Sequence, residues 1–149
     1  MDRQPKPPIP YLLAYAATVT LRKADEELRP HRLTVRQYGL LAQLGAEPEL
    51  TMSELARQLG VSRQTLHEMV GDLEKTGYLC RRPGASGRTR RIVLTPRTLR
   101  LLAAAEGPLH RMEVEFLGGL SRTEIETLRT LLRRLLAHAT DDEAWLSGT

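Results

Sequence analysis

Helix-start signals recur along this chain and constrain its fold more than any other feature. Three segments form capping boxes, in which Thr or Ser is followed three residues later by Gln or Glu: Thr34–Gln37, Thr51–Glu54 and Ser121–Glu124. Apolar residues spaced for a hydrophobic staple flank each box, and Ser62 has the staple without the box. Thr95-Pro96 adds a cap followed by proline at the first helical position. The sequence therefore predicts a mainly helical protein with helices beginning at these five places.

Apolar periodicity extends these signals into long terminal helices. A first helix is predicted from about Pro10 to Leu28, with Pro30 ending it. The helix that begins at Pro96 should run toward Leu117, with a kink or break at Gly107-Pro108. The last helix, from Arg122 to about residue 139, carries a leucine stripe wide enough to pack against more than one neighbour.

Two short helices around a glycine turn occupy the centre of the chain, over residues 51–79. Apolar residues at positions i, i+3, i+4 and i+7 give the second of them a continuous inner face from Leu66 to Leu73. Gly60 makes the turn, and Gly77 is suited to a left-handed cap at the end. This arrangement is a helix-turn-helix.

The solvent side of the second helix carries residue types that can read DNA. Gln64, Glu68 and Lys75 lie opposite the apolar stripe, with Thr65 and His67 on its flanks. Glutamine can bond adenine at two atoms, and glutamate can accept from cytosine. Ser62, Arg63 and the helix N-terminus lie where backbone N–H groups would hold a phosphate. Any one of these residues can equally belong to an ordinary solvated face.

A basic hairpin is predicted after the helix-turn-helix. Segments 78–82 and 90–94 are typical of short strands, and residues 83–87 between them are typical of a turn. Residues 81–91 hold five arginines and no acid. Arg88 and Arg90 are the candidates for contact with phosphates or a minor groove. Over residues 51–95 there are eight Lys/Arg and four Asp/Glu, so the whole net charge of +4 resides there and indicates a polyanionic partner.

Several motifs together resemble the MarR family of bacterial and archaeal regulators. They are Leu33-Thr34, SELARQLGVSRQTL, DLEKTGYL and the hairpin end RRIVLTP, within a resemblance that spans about residues 10–140. The family's hairpin, or wing, usually carries Asp-x-Arg; Arg88 matches the arginine, but Ser86 stands in place of the aspartate. Asp72 occupies a position that is often basic in the family. Both departures can weaken or redirect DNA contact.

The resemblance implies a winged helix-turn-helix protein that dimerises through its terminal helices. We expect a flexible tail over residues 1–8, a helical dimerisation region over 9–30 and 97–140, a winged helix-turn-helix over 31–96, and a C-terminal tail over 141–149. The implied function is a repressor that binds a palindromic double-stranded DNA operator as a homodimer and is released by a small-molecule effector.

An effector pocket between the terminal helices and the DNA-binding domain is also implied by the resemblance. Tyr15, His31, Tyr38 and Arg111 are its candidate lining residues. Each has an ordinary alternative, since Tyr38 occupies a staple position suited to the core and His31 lies in a loop.

Other functions are weighed against this interpretation. A winged-helix module that binds protein is one alternative, and a redox-sensing regulator using Cys80, the single cysteine, is another. One cysteine allows no intrachain disulfide, which fits the cytoplasm. The four histidines form no metal-ligand pattern, no nucleophile motif or phosphate loop suggests an enzyme, and neither a cofactor nor a membrane association is expected.

Overall fold

Six helices and one β-hairpin make up the part of the fold that the structure describes. The computed structural model describes residues 5–84 and 90–141. In chain order the elements are α1 (Ile9–Leu28), a 3-10 turn (Arg29–His31), α2 (Val35–Ala46), α3 (Met52–Leu59), α4 (Arg63–Lys75), β1 (Leu79–Pro83), β2 (Arg90–Leu94), α5 (Pro96–Phe116) and α6 (Arg122–Asp141). We call the region from α2 to β2 the head, and α1, α5 and α6 the terminal helices.

The predicted helix starts are confirmed. The side chains of Thr34, Thr51 and Ser121 each accept the backbone N–H three residues ahead, and the Gln or Glu there accepts the N–H of the cap in return. Ser62 caps α4 without a reciprocal partner. At Ser121 the backbone N–H and the hydroxyl group hold the pKa of Glu124 below its usual value. These local bonds satisfy N–H groups that no helical carbonyl can reach.

Helix α5 differs from the prediction at Gly107-Pro108. It runs without interruption from Pro96 to Phe116 with Pro108 inside it, so a break there is wrong, whereas the alternative of a kink stays a prediction. Proline removes one helical hydrogen bond and its ring crowds the carbonyl four residues earlier, but its fixed φ angle is compatible with a helix. The turns on either side keep their hydrogen bonds and hold the helix together across the missing one.

A two-stranded antiparallel sheet forms the hairpin. Leu79 pairs with Leu94, Arg81 with Ile92, and Pro83 with Arg90. Strand β1 therefore begins one residue later than predicted, whereas β2 begins and ends as predicted. The predicted tip includes residues 85–87, which lie outside the described residues.

The head has a compact aliphatic core that fixes the helix-turn-helix. Leu40, Leu41, Leu55, Leu66 and Leu73 have no exposed surface. The start of α5 is tied to the residue just before β1 through the buried hydroxyl of Thr98, which donates to the Tyr78 carbonyl at 2.6 Å. The Tyr78 hydroxyl in turn donates to the His31 carbonyl at 3.1 Å. The hairpin and α4 are thus attached to the segment that follows α1.

The terminal helices leave apolar surface open in a single chain. The large apolar side chains that remain exposed all belong to these helices or to the loop before α6: Ile9, Tyr11, Leu12, Leu13, Tyr15, Leu21, Leu99, Val114, Phe116, Leu120, Leu131, Leu135 and Leu136. Within its described residues, the head exposes no large apolar side chain of this kind. None of the helices in the described ranges is long and apolar enough to span a membrane.

Candidate nucleic-acid interface

Two glycines set the position of α4. Gly60, between α3 and α4, and Gly77, after α4, have φ values of 68° and 81°, which glycine adopts without the penalty that a Cβ brings. Between them α4 presses Leu66, Val70 and Leu73 into the core with no exposed surface. Because this inner face is buried, the opposite face of α4 points toward solvent.

The outward face of α4 brings most of the predicted DNA-reading residues together. Arg63, Gln64, His67, Glu68 and Lys75 are all exposed along it. Gln64, Glu68 and Lys75 follow one another at spacings of four and seven residues, so they lie on one line along the helix. This line offers a ligand both hydrogen-bond donors, from Gln64 and Lys75, and acceptors, from Gln64 and Glu68.

The remaining two predicted residues of this region have a structural role at the helix start. The Ser62 hydroxyl oxygen accepts the Thr65 backbone N–H at 3.1 Å, and the Ser62 hydroxyl donates to the Thr65 hydroxyl oxygen at 3.0 Å. Both residues are partly buried. The cap takes up the Thr65 N–H, so the N–H groups of the exposed residues Arg63 and Gln64 are the ones left for a phosphate.

The hairpin arginines are less uniformly free than the sequence suggests. Arg81 Nε lies 3.5 Å from a Glu74 carboxylate oxygen, and the Arg91 guanidinium lies 2.6 Å from that of Glu49. The local segment 81–91 has no acid, but α4 and the α2–α3 loop supply counter-charges from elsewhere in the chain. The Arg91–Glu49 pair is largely solvent-exposed, so it contributes little to stability and leaves Arg91 available to another anion, whereas Arg81 is partly buried.

The structure says less about the other hairpin arginines. Arg82 is exposed. Arg88 lies outside the described residues, and Arg90 is described only through its place in β2 opposite Pro83. Their predicted role in DNA contact therefore stays a prediction.

Four residues were predicted to line an effector pocket, and they lie on four different elements. Tyr15, on α1, is exposed and stacks on Tyr11 with ring centroids 6.3 Å apart. Burial and, to a smaller degree, the nearby Glu106 carboxylate raise the pKa of Tyr38 on α2. His31 is partly buried and Arg111 is exposed. No hydrogen bond or ring contact within the described ranges joins any two of the four, so their shared pocket stays a prediction.

A cleft that the sequence did not predict opens between α3 and α6. Its volume is about 460 Å³, and its walls are built from Glu54, Arg57, Gln58, Thr130, Arg133, Arg134 and Ala137. More than 70 residues separate the two walls in the sequence, so no local motif marks the cleft. The adjacent Arg133-Arg134 pair is the sequence feature that could have indicated a basic site here.

Comparison with known proteins supports the fold. The MarR family model matches residues 32–92, which span most of the head. MepR of Staphylococcus aureus, in a complex with DNA, matches with a TM-score of 0.75 and 25% identity over 88% of this chain and 96% of MepR.

Two further solved structures share the arrangement of terminal helices and head. CouR of Rhodococcus jostii, bound to p-coumaroyl-CoA, matches with a TM-score of 0.77 at 22% identity. The match covers 91% of this chain and 96% of the CouR chain. A Mycobacterium tuberculosis MarR family protein in complex with salicylic acid has a TM-score of 0.62 at 27% identity, covering 87% and 97%. The predicted winged helix-turn-helix fold is confirmed.

Proposed function

We propose that this chain is a transcriptional regulator of the MarR type, that it represses transcription by binding a palindromic double-stranded DNA operator as a homodimer, and that a small-molecule effector releases it. One observation carries the DNA-binding part. Helix α4 buries Leu66, Val70 and Leu73 completely and presents a polar face beside a basic hairpin. That combination suits a helix placed in a major groove with a wing on the flanking backbone.

Each part of this surface has a distinct role in the proposal. Gln64 and Glu68 contact base edges, for which their amide and carboxylate groups provide matching donors and acceptors. Arg63 and the N-terminus of α4, held by Ser62 and Thr65, contact phosphate. Arg88 and Arg90 reach the neighbouring backbone or minor groove from the wing. The DNA complex of MepR, a protein of similar fold, supports this arrangement.

Dimerisation is proposed through the terminal helices, over residues 9–30 and 97–140, with residues 31–96 as the DNA-binding domain. The support is the contrast in exposed apolar surface between the terminal helices and the head. A two-fold axis through these helices would present two α4 helices to two half-sites.

Release by an effector is proposed because similar proteins carry small organic ligands. The solved structures of CouR and of the M. tuberculosis protein contain p-coumaroyl-CoA and salicylic acid, respectively. Tyr15, His31, Tyr38 and Arg111 remain the candidate lining residues in this chain.

Separate substitutions on α4 and on the wing test the division of labour in DNA contact. A duplex is first selected from random sequences by the full-length protein. Replacing Gln64 with Ala should reduce discrimination at one base pair by ~1–3 kcal/mol. Replacing Arg88 or Arg90 with Ala should weaken binding to all duplexes and lower the dependence of log K on log salt by about one counterion each. Fluorescence anisotropy over a salt series measures both quantities.

Arg122→Ala, an exposed substitution at the start of α6, is the control and should leave both quantities unchanged. Equal losses on all duplexes for Gln64→Ala and the wing variants would remove the base-reading role from Gln64. Failure to bind any duplex in a salt-dependent way would favour the alternative of a protein-binding winged helix.

Cys80 is expected not to act as a redox switch. It is partly buried in β1 opposite Val93, and the chain has no second cysteine with which it can pair. Peroxide treatment should leave affinity for the selected duplex unchanged, and Cys80→Ser should behave as the parent does. A loss of binding on oxidation that disappears in Cys80→Ser would place the protein in the redox-sensing class instead.

A further inference from the structure

The cleft between α3 and α6 is a concave, strongly basic site outside the surfaces discussed above. Three of its seven lining residues are arginines, one from α3 and two from α6. Its volume of about 460 Å³ lies within the usual range of small-molecule sites, ~300–1,000 Å³. None of its residues belongs to the outward face of α4 or to the four candidate effector residues.

The charges in the cleft are not compensated by the protein groups around them. Arg57, Arg133 and Arg134 form no ion pair with any carboxylate in the described part of the chain. Glu54 is the single acid among the lining residues, and its carboxylate already accepts the Thr51 backbone N–H in the capping box at 3.3 Å. The lining therefore contains three arginines and one glutamate, whose carboxylate is already partly engaged.

An amide adds a further donor to this group. The Gln58 carbonyl oxygen accepts from the Gln43 amide at 2.5 Å, and the same Gln43 amide also donates to Glu47 at 3.1 Å. With its oxygen occupied, Gln58 has its NH2 group left for another acceptor. The polar residues of the cleft thus carry an excess of positive charge and a further amide donor.

We propose that this cleft binds a small organic anion that carries a phosphate, a diphosphate or several carboxylates. Guanidinium groups match such oxygens in pairs, which gives both strength and orientation. The two walls belong to α3 and α6, so the bound anion joins the first helix of the helix-turn-helix to the last terminal helix. A concave site between two helices suits a small molecule better than the extended backbone of a duplex.

Titration calorimetry with inorganic pyrophosphate as the probe tests the proposal on the full-length protein at constant ionic strength. The parent is expected to bind one pyrophosphate per chain. Because a charge-assisted hydrogen bond typically contributes enough for a tenfold to hundredfold change in affinity, Arg57→Gln and Arg133→Gln should each weaken binding by about tenfold or more. Arg122→Gln, on α6 but outside the cleft, and Arg82→Gln, on the hairpin, should bind as the parent does.

Absence of pyrophosphate binding, or equal losses in the cleft and control variants, would overturn the proposal. The phosphates of a DNA backbone carry the same anionic oxygens as a small phosphate ligand and could occupy the cleft instead. If pyrophosphate does not bind while Arg57→Gln and Arg133→Gln weaken duplex binding and lower its salt dependence, the cleft is a DNA-backbone contact and not a small-anion site. The calorimetric measurement contains no DNA, so its failure is distinct from a failure of the proposed operator binding.

Discussion

Replacing Gly60 with Ala is expected to lower the free energy of unfolding by about 2–5 kcal/mol. Gly60 has a φ of 68°, a left-handed conformation that costs a residue with a Cβ about 1–2 kcal/mol. A Cβ added there would also lie 2.9 Å from the Leu136 Cβ on α6, which is closer than packed carbons approach. Relief of that overlap requires a shift of α6 or of the turn, at a further cost of about 1–3 kcal/mol.

Gly77→Ala separates the two contributions. Gly77 has a similar φ of 81°, but a Cβ there would meet nothing within 4 Å. Its replacement should therefore cost only the conformational part, about 1–2 kcal/mol. Urea unfolding followed by circular dichroism, at one fixed protein concentration for all variants, gives both values. Equal losses at Gly60 and Gly77 would show that α6 does not press on the turn.

Sequence analysis predicts the local parts of this fold well because their determinants are local. The Thr34, Thr51 and Ser121 boxes close bonds over three residues, and the inner face of α4 follows from a repeat within eight residues. The turn at Gly60 likewise shows in the sequence as a glycine between two amphipathic segments. The exposed line of Gln64, Glu68 and Lys75 follows directly from that periodicity, although what it contacts stays a prediction.

Features that depend on distant segments were not predictable. The hairpin segment 81–91 contains no acid, yet Glu74 and Glu49 pair with its arginines because the fold brings α4 and the α2–α3 loop alongside. Pro108 looks like a helix break in isolation, but the turns around it sustain α5. The contact between Gly60 and Leu136 and the α3–α6 cleft arise only when the middle of the chain meets its last helix.

Leu135→Glu is expected to convert the protein from dimer to monomer at micromolar concentration. Leu135 is 54% exposed on α6 in a single chain, and Leu131, one turn earlier, is 47% exposed. If the terminal helices form the proposed interface, a two-fold axis places the new carboxylate in it twice. Burial of an unpaired charge costs several kcal/mol each time, which is enough to weaken association by several orders of magnitude. Light scattering should then give about 16.8 kDa instead of twice that mass.

Thr123→Glu is the matched control, since it adds the same charge to an exposed position near the start of the same helix. An acidic residue in a first helical turn is favourable, so this variant should remain folded and dimeric. Circular dichroism of Leu135→Glu establishes whether its helices persist in the monomer. Because one chain presents one α4, the monomer should also lose most of its affinity for a two-half-site duplex while it still binds a single half-site weakly. A Leu135→Glu variant that stays dimeric would place the interface elsewhere. A monomeric parent would rule out the dimer, and the apolar surface of α1, α5 and α6 would then need another partner.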